Sequence, residues 1–359
     1  MLTLRHLSKT FANGVTALHP TDLTVEAGER LVLLGPSGSG KSTLLRLIVG
    51  LDEPTTGEVW RDGVRIDTLP PHKRGVAFLS QRPALYPHLT VRGNLRSAEC
   101  GVRSAESRNQ DVPSSSTPHS PFLTPHSQDL LRLSPLLDRY PHQLSGGEKQ
   151  RVALAKMLLR GCPVWLLDEP FAGLDPPFRA EFRHDLHLLS ARANATIIVV
   201  SHDPIDASAL GRRLGALGAG VLRQLGTPEE LRTRPGNRFV AFALGQFCFL
   251  DGTVTADGQF ASDCGTVRTP LPAGAPAGRR LSFGLRPDDI IRDPSGFRGW
   301  EAVSAEPSGA GWLLTVAAGR SRLRVEWRGG LPPLAGTPWP WAVAPDRGLW
   351  FDGETGERL

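Results

Sequence analysis

The segment Gly35-Pro36-Ser37-Gly38-Ser39-Gly40-Lys41-Ser42-Thr43 constrains this chain more than any other. It follows directly on the apolar, strand-length run Leu31 to Leu34 and leads into the helix-like stretch Leu44 to Val49. A glycine-rich loop at a strand-to-helix junction presents backbone N–H groups without side-chain obstruction, and the following helix adds the positive end of its dipole. Such a site suits a phosphate chain. Gly35, Pro36, Ser37, Gly38, Ser39 and Gly40 form the cradle, Lys41 reaches the β- and γ-phosphates, Ser42 holds Mg²⁺ and Thr43 donates on the α-phosphate side. Lysine occurs elsewhere only at positions 9, 73, 149 and 156, which makes its placement here informative.

At roughly 150 residues per domain, 359 residues predict about two domains. The composition, 40% hydrophobic and 21% charged, is that of a soluble globular chain, and no run of 18 apolar residues predicts a membrane span. Met1-Leu2-Thr3-Leu4-Arg5 lacks the pattern of a secretory signal, so a cytosolic location is expected. Cys100, Cys162, Cys248 and Cys264 are scattered without metal-binding spacing, which predicts unpaired thiols and no zinc site. The net charge of +5 comes from dispersed arginines and reads as a solvated surface, with no nucleic acid as partner.

From Leu2 to about Arg234, short aliphatic runs alternate with helical stretches, the pattern of an α/β domain with a largely parallel sheet. Beyond residue 240 that periodicity gives way to short segments between Gly/Pro turns, such as Leu281 to Leu285, Trp312 to Val316 and Leu323 to Trp327. These predict a small β-barrel or sandwich. Arg103 to Gln128, with Ser114-Ser115-Ser116-Thr117-Pro118 inside it, reads as an irregular insertion.

Two further motifs carry chemistry. Val164-Trp165-Leu166-Leu167-Asp168-Glu169-Pro170 is a buried strand ending in two carboxylates, where ligands bind in a parallel sheet. Asp168 is placed to hold Mg²⁺ through water, and Glu169 to act as general base on an attacking water. Leu144-Ser145-Gly146-Gly147-Glu148 precedes the helix-like Val152 to Leu159 and offers a second anion site, a hydroxyl and N–H groups at a helix start.

In this order and spacing, the pentapeptide resembles the signature of the ATP-binding-cassette ATPases. The resemblance implies a P-loop cassette with a helical subdomain over about 85–160, ATP and Mg²⁺ as ligands, and a head-to-tail dimer in which Ser145 and its neighbours face the ATP of a second copy or a paralogous subunit. It also implies roles for further residues. Gln81 matches the glutamine that senses Mg²⁺ and water and couples to the membrane partner. His202, in Ser201-His202-Asp203, matches the histidine that contacts the γ-phosphate. Asp175, in Ala172-Gly173-Leu174-Asp175, matches the loop that crosses the dimer interface, and Phe11 stands where an aromatic ring stacks on adenine.

Ala84-Leu85-Tyr86-Pro87-His88-Leu89-Thr90-Val91, Tyr140-Pro141-His142-Gln143-Leu144 and Gly226-Thr227-Pro228-Glu229-Glu230-Leu231 narrow the resemblance to the ATPase subunits of binding-protein-dependent importers of sugars and sn-glycerol 3-phosphate. Gly284-Leu285-Arg286-Pro287-Asp288-Asp289-Ile290 resembles a segment of that group's C-terminal regulatory domain, of oligonucleotide/oligosaccharide-type β-barrel (TOBE-like) fold. The expected architecture is therefore a cassette over 1–235 and a small all-β regulatory domain over 240–359. Implied partners are two transmembrane permease subunits and, indirectly, an extracytoplasmic solute-binding protein, with this chain peripheral on the cytoplasmic face of the inner membrane. Alternatives are an importer ATPase for an inorganic anion, ferric iron or a polyamine, a soluble non-transport cassette protein, or a mainly regulatory subunit. Three departures stand out: Ser80 before Gln81, Pro204 after Asp203, and the stretch from Arg103 to Leu133.

Overall fold

The computed structural model describes residues 1–106, 131–244, 247–271, 275–309, 311–344 and 347–359, with only the backbone course described over 99–106. It divides into two units, Met1–Pro228 and Glu229–Leu359. In chain order the first unit contains β1 (Leu2–Thr10), β2 (Thr16–Val25), β3 (Arg30–Leu34), α1 (Lys41–Val49), β4 (Thr56–Arg61), β5 (Val64–Arg65), β6 (Val76–Leu79), α2 (Val91–Glu106) and α3 (Gly146–Leu158). It continues through β7 (Val164–Asp168), α4 (Pro176–Ala193), β8 (Thr196–Ser201), α5 (Pro204–Leu210), β9 (Arg213–Gly218) and β10 (Val221–Gly226).

One sheet is antiparallel, in the order β2-β1-β4-β5; the other runs β10-β9-β3-β8-β7-β6 and is parallel except for its β10 edge. The apolar runs explain the second sheet. Every residue of β7 and β8 is buried, as strands covered on both faces must be. Helix α1 sits in the core common to the two sheets: Leu44, Leu45 and Ile48 share it with Leu4, Leu7 and Val25 on one side and Leu31, Leu166 and Ile198 on the other. The expected irregular insertion lies largely outside the described residues; within it, 103–106 are the last turn of α2.

At its far end α1 is closed by a residue from another part of the chain. Gly50 takes the left-handed conformation, φ +85°, that ends helices. Beside it the guanidinium of Arg74, only 5% exposed, donates from Nη1 to the carbonyls of Leu47 (2.8 Å) and Ile48 (3.0 Å). Its Nε donates to Leu69 O (2.8 Å) and its Nη2 to Asp67 O (2.7 Å). A cation is favoured at a helix C-terminus, and this one also satisfies carbonyls that have no partner within the helix.

The second unit begins with α6 (Pro228–Thr233) at the boundary and α7 (Arg238–Ala243). Strands follow: β11 (Cys248–Val254), β12 (Gln259–Ser262), β13 (Arg268–Pro270), β14 (Arg280–Leu285), β15 (Ile290–Phe297), β16 (Glu301–Ser308), β17 (Gly311–Ala318), β18 (Ser321–Trp327), β19 (Trp341–Val343) and β20 (Leu349–Asp352). They form a five-stranded sheet β13-β12-β11-β14-β20, a three-stranded sheet β16-β17-β18 and a pair β15-β19 around a core containing Trp300, Trp339, Trp341, Phe260 and Phe283. Residues 229–235, grouped with the cassette on sequence, fall in this unit, and helix extends past residue 240. The reason is local: the Asn237 side chain caps α7 by accepting from Val240 N (2.9 Å), and Ala241 is buried with Phe247 and Phe351 of the β-rich core.

Arg74→Met is expected to destabilise the first unit by about 3 kcal/mol, because apolar bulk replaces the cation and leaves buried carbonyls unpaired. Urea unfolding followed by far-ultraviolet circular dichroism, to which the helices of the first unit contribute most, measures this.

Candidate active site

Three adjacent parallel strands end side by side. In the register Leu34 of β3 pairs with Ser201 of β8, and Asp168 of β7 pairs with Val200 of β8. The Gly35 loop, His202 and Glu169 therefore leave the same edge of one sheet, the carboxyl edge at which open α/β sheets bind ligands.

Helix α1 begins at Lys41, so the lysine and Ser42 stand in its first turn, where N–H groups lack intrahelical partners. Gly40, the residue before it, has φ +99°, and a Cβ there would lie 2.3 Å from the carbonyl oxygen of Ala17. Only glycine turns this corner. The Lys41 side chain is 6% exposed and donates from Nζ to Gly35 O (2.7 Å) and Pro36 O (2.9 Å). Ser42 Oγ donates to Asp168 Oδ1 at 2.8 Å. Burial lowers the Lys41 pKa from its ordinary value, against the opposing pull of Glu169 and Asp168. Burial likewise raises that of Asp168, against the hydrogen bond from Ser42 and the charge of Lys41. Each charge is held at a desolvation cost that an anion beside Lys41, or a cation beside Asp168, would offset.

Glu169 follows Asp168 with φ +48°, a strained conformation for a side chain of this kind. Its neighbours hold it there: its N–H donates to Val200 O (3.1 Å), and its carbonyl accepts from Ala172 N (3.1 Å). The turn aims Oε2 at His202 Nδ1, 2.8 Å away. Next to His202, Asp203 caps α5 by accepting from Ile205 N (2.7 Å), which places Pro204 at the first helical position. Proline is favoured there because that N–H has no helical partner, which accounts for the departure noted in the sequence.

Ser145 opens α3 with a reciprocal cap, its Oγ accepting from Glu148 N (3.2 Å) and its N–H donating to Glu148 Oε2 (2.7 Å). Ser145 and Gly146 are exposed, whereas Leu144 is buried beneath them. A Cβ at Gly146 or Gly147 would come no closer than 3.8 Å to Gly173 O or to Leu174 and Phe178, and neither glycine has positive φ. Among the described residues nothing requires glycine at these positions. Among the described residues no hydrogen bond or ion pair joins 145–148 to Lys41, Ser42, Asp168 or Glu169.

Gln81 is exposed two residues beyond β6, the neighbour of β7, and Ser80 Oγ bonds Arg82 O (2.6 Å) in the same turn. Phe11, just past β1, is 40% exposed, with Lys9 Nζ 5.3 Å from its ring centre. Asp175 is exposed at the start of α4. The structure thus clusters Lys41, Ser42, Asp168, Glu169 and His202, and holds the Ser145 segment near the Asp175 loop as a separate group. Sequence reasoning missed Arg179, Arg183 and Asp206, which form an ion-paired group behind His202. Their signal is only that Arg179 and Asp206 each lie four residues after a motif residue.

Comparison with known proteins agrees with this geometry. The sequence pattern described as "ABC transporter" matches residues 18–172. The sn-glycerol-3-phosphate import ATP-binding protein UgpC of Salmonella typhi is 35% identical over 365 aligned positions, covering 100% of this chain and 99% of that protein. The chain belongs to the ABC transporter family. The alpha-glucoside transport ATP-binding protein AglK of Rhizobium meliloti is 39% identical over 297 positions, 80% of this chain and 79% of its own. The dimeric bacterial ABC transporter cassette MJ0796 superposes with a TM-score of 0.55 at 30% identity, covering 64% of this chain and 99% of that one. As a member of this family, the protein is an ATPase of the mixed α/β cassette fold followed by further β-structure.

In this ABC ATPase, Gly147→Ala is expected to leave thermal stability unchanged or slightly raised, because alanine is the better helix former by up to ~1 kcal/mol and meets no clash. ATP hydrolysis should fall at least about tenfold if the close approach that glycine permits is to a nucleotide. Melting curves and steady-state ATPase rates on the same preparation check both.

Proposed function

We propose that this chain is the ATP-hydrolysing subunit of a binding-protein-dependent importer of sn-glycerol 3-phosphate or a sugar. The observation that carries the reading is the end-to-end match to an sn-glycerol-3-phosphate import subunit, which spans the C-terminal unit as well as the cassette. In this reading the N–H groups of residues 35–40 and the start of α1 bind the phosphate chain, with Phe11 against the adenine. Lys41 neutralises the terminal phosphates. Glu169 accepts the proton of the attacking water, and His202, held by Glu169, contacts the γ-phosphate. Preorganised charge and position at these side chains lower the barrier.

The donor set fits Mg²⁺. Ser42 and Asp168 offer a hydroxyl and a carboxylate 2.8 Å apart; Gln81, outside that cluster, is the third oxygen only in the proposed reading, and among the described residues no group of three or more His, Cys, Asp or Glu forms a closed cage. Mg²⁺ is usually held by one or two carboxylates together with substrate phosphates, where it neutralises phosphate charge.

A second copy would supply Ser145, Gly146, Gly147 and the Asp175 loop to complete each site. Two transmembrane subunits would dock at the cleft between the end of β6 and α3, lined by Phe78, Leu85, Tyr86, Lys156 and Met157. No described helix is long and apolar enough to cross a membrane, so in this reading the chain is peripheral on the cytoplasmic face and the spans belong to partner chains. The β-rich unit from Glu229 is the proposed regulatory domain, and its barrel-type assignment belongs to this proposal.

Glu169→Gln should bind ATP normally, elute at twice the monomer mass with ATP, and hydrolyse it at least ~100-fold more slowly, since general-base catalysis contributes typically 10²–10⁴-fold. Hydrolysis at the wild-type rate would disprove the base assignment. For the substrate, uptake of labelled sn-glycerol 3-phosphate and of a panel of sugars into cells lacking this chain is the direct measurement, and unchanged uptake of all of them would reject the substrate assignment.

A further inference from the structure

Behind the Glu169–His202 pair lies a group of charges that the proposed mechanism does not use. Arg179, in the first turn of α4, spans two carboxylates: Nε donates to Asp206 Oδ1 at 3.0 Å, and Nη2 bonds Asp203 Oδ2 at 2.8 Å as well as Asp206 Oδ2. Asp206 is 1% exposed and also accepts from Arg183 Nη1 (3.1 Å) and from the hydroxyl of Ser201 (3.4 Å). That hydroxyl in turn accepts the N–H of Asp203 at 3.0 Å. Asp203 adjoins His202 in sequence. Two chain segments therefore leave the neighbouring strands β7 and β8, meet at Glu169 and His202, and meet again at Arg179 with Asp203 and Asp206.

Stability alone does not account for this choice of residues. Asp206 is held at 1% exposure, and keeping a carboxylate out of water there is costly, whereas Arg179 and Asp203 keep about a quarter of their surface. A planar fork holding two carboxylates at once instead specifies geometry, which a single ammonium cannot do. We propose that Arg179 is a positioning residue for ATP hydrolysis: by bridging Asp203 and Asp206 it sets the place of His202 relative to Glu169. The inference rests on the reading of Glu169 and His202 as the hydrolytic pair.

Arg179→Lys keeps the charge and loses the fork. Asp203→Asn keeps the cap on α5, since asparagine caps as well as aspartate, and loses the charge that Arg179 holds. Both variants and their double are to be made in the full-length chain and compared for ATP binding, thermal midpoint and steady-state ATPase kinetics. Each single variant is expected to lower kcat roughly tenfold with KM for ATP unchanged, and the double to fall no further than the worse single, as residues acting through one contact do. Unchanged kcat in Arg179→Lys, losses that multiply in the double, or an activity loss that only tracks the loss of folded protein would overturn the proposal. Glu169→Gln and His202→Ala serve as references. If either retains wild-type hydrolysis, the reading of the pair falls and the positioning role with it. If both lose hydrolysis while Arg179→Lys keeps it, the positioning role alone is rejected.

Discussion

The buried ammonium of Lys41 is the constraint around which the first unit is arranged. A positive charge with 6% exposure survives only if oxygen atoms are brought to it, and the loop from Gly35 does this by turning two of its carbonyls inward. With those carbonyls facing the lysine, the loop must close tightly enough that residue 40 has no room for a side chain against Ala17. The two sheets then hold the loop from both sides. Gly220, at the β9–β10 turn, donates to Ser39 O at 3.0 Å, and its own carbonyl accepts from His19 N of β2 at 2.9 Å. The antiparallel sheet, which contributes none of the clustered polar side chains, thus helps fix the backbone of the loop proposed to cradle phosphate. The carboxylates of Asp168 and Glu169 partly offset the cost of burying the lysine, so the end of β7 and the start of α1 stabilise one another through charge as well as packing.

The sequence made the central part of this arrangement legible because its physics is local. Continuous apolar runs at Leu31 to Leu34, Val164 to Leu167 and Thr196 to Val200 have no other use than as central strands of a covered parallel sheet, and the chemistry-bearing residues follow each run immediately. Arg74 and Arg179 were not legible for the opposite reason. Arg74 bonds backbone carbonyls, which any residue carries, and Arg179 meets partners on a different helix, 24 and 27 residues on. The compact units divide at Glu229, several residues before the edge expected from the sequence, because α6 reads as a continuation of the α/β pattern, while α7 after it buries Ala241 with Phe247 and Phe351.

Gly146 and Gly147 occupy a middle position. Their role in sequence came only from resemblance, since a serine, two glycines and a glutamate can be no more than a helix start. The structure adds a physical argument. Where a glycine is needed for φ or for packing, as at Gly40, the reason lies inside the chain; at 146 and 147 no such reason exists among the described residues. The capping geometry points the same way. Ser145 Oγ is occupied as an acceptor by Glu148 N, which leaves its hydroxyl proton available, alongside the N–H groups of the glycines, for an anion approaching from outside.

In the proposed mechanism that approach also bears on Glu169 and His202. The side chain of His202 is 58% exposed while that of Glu169 is 14% exposed, so in a single copy the proposed base is sheltered and its partner is wet. Two opposite unit charges 4 Å apart gain about 1 kcal/mol in water, and about four times as much where the effective dielectric constant falls to that of a protein surface; a dipole gains less but scales the same way. Covering His202 therefore changes the worth of a contact whose geometry is already set. A second copy that laid its Ser145 segment over the phosphates would exclude water from this position, and the same atoms would then stabilise the transition state more strongly without moving. In the proposed mechanism hydrolysis would then be tied to dimer closure by dielectric shielding as much as by the added donors, and the proposed role of Arg179, Asp203 and Asp206 would be to keep His202 in register until closure occurs.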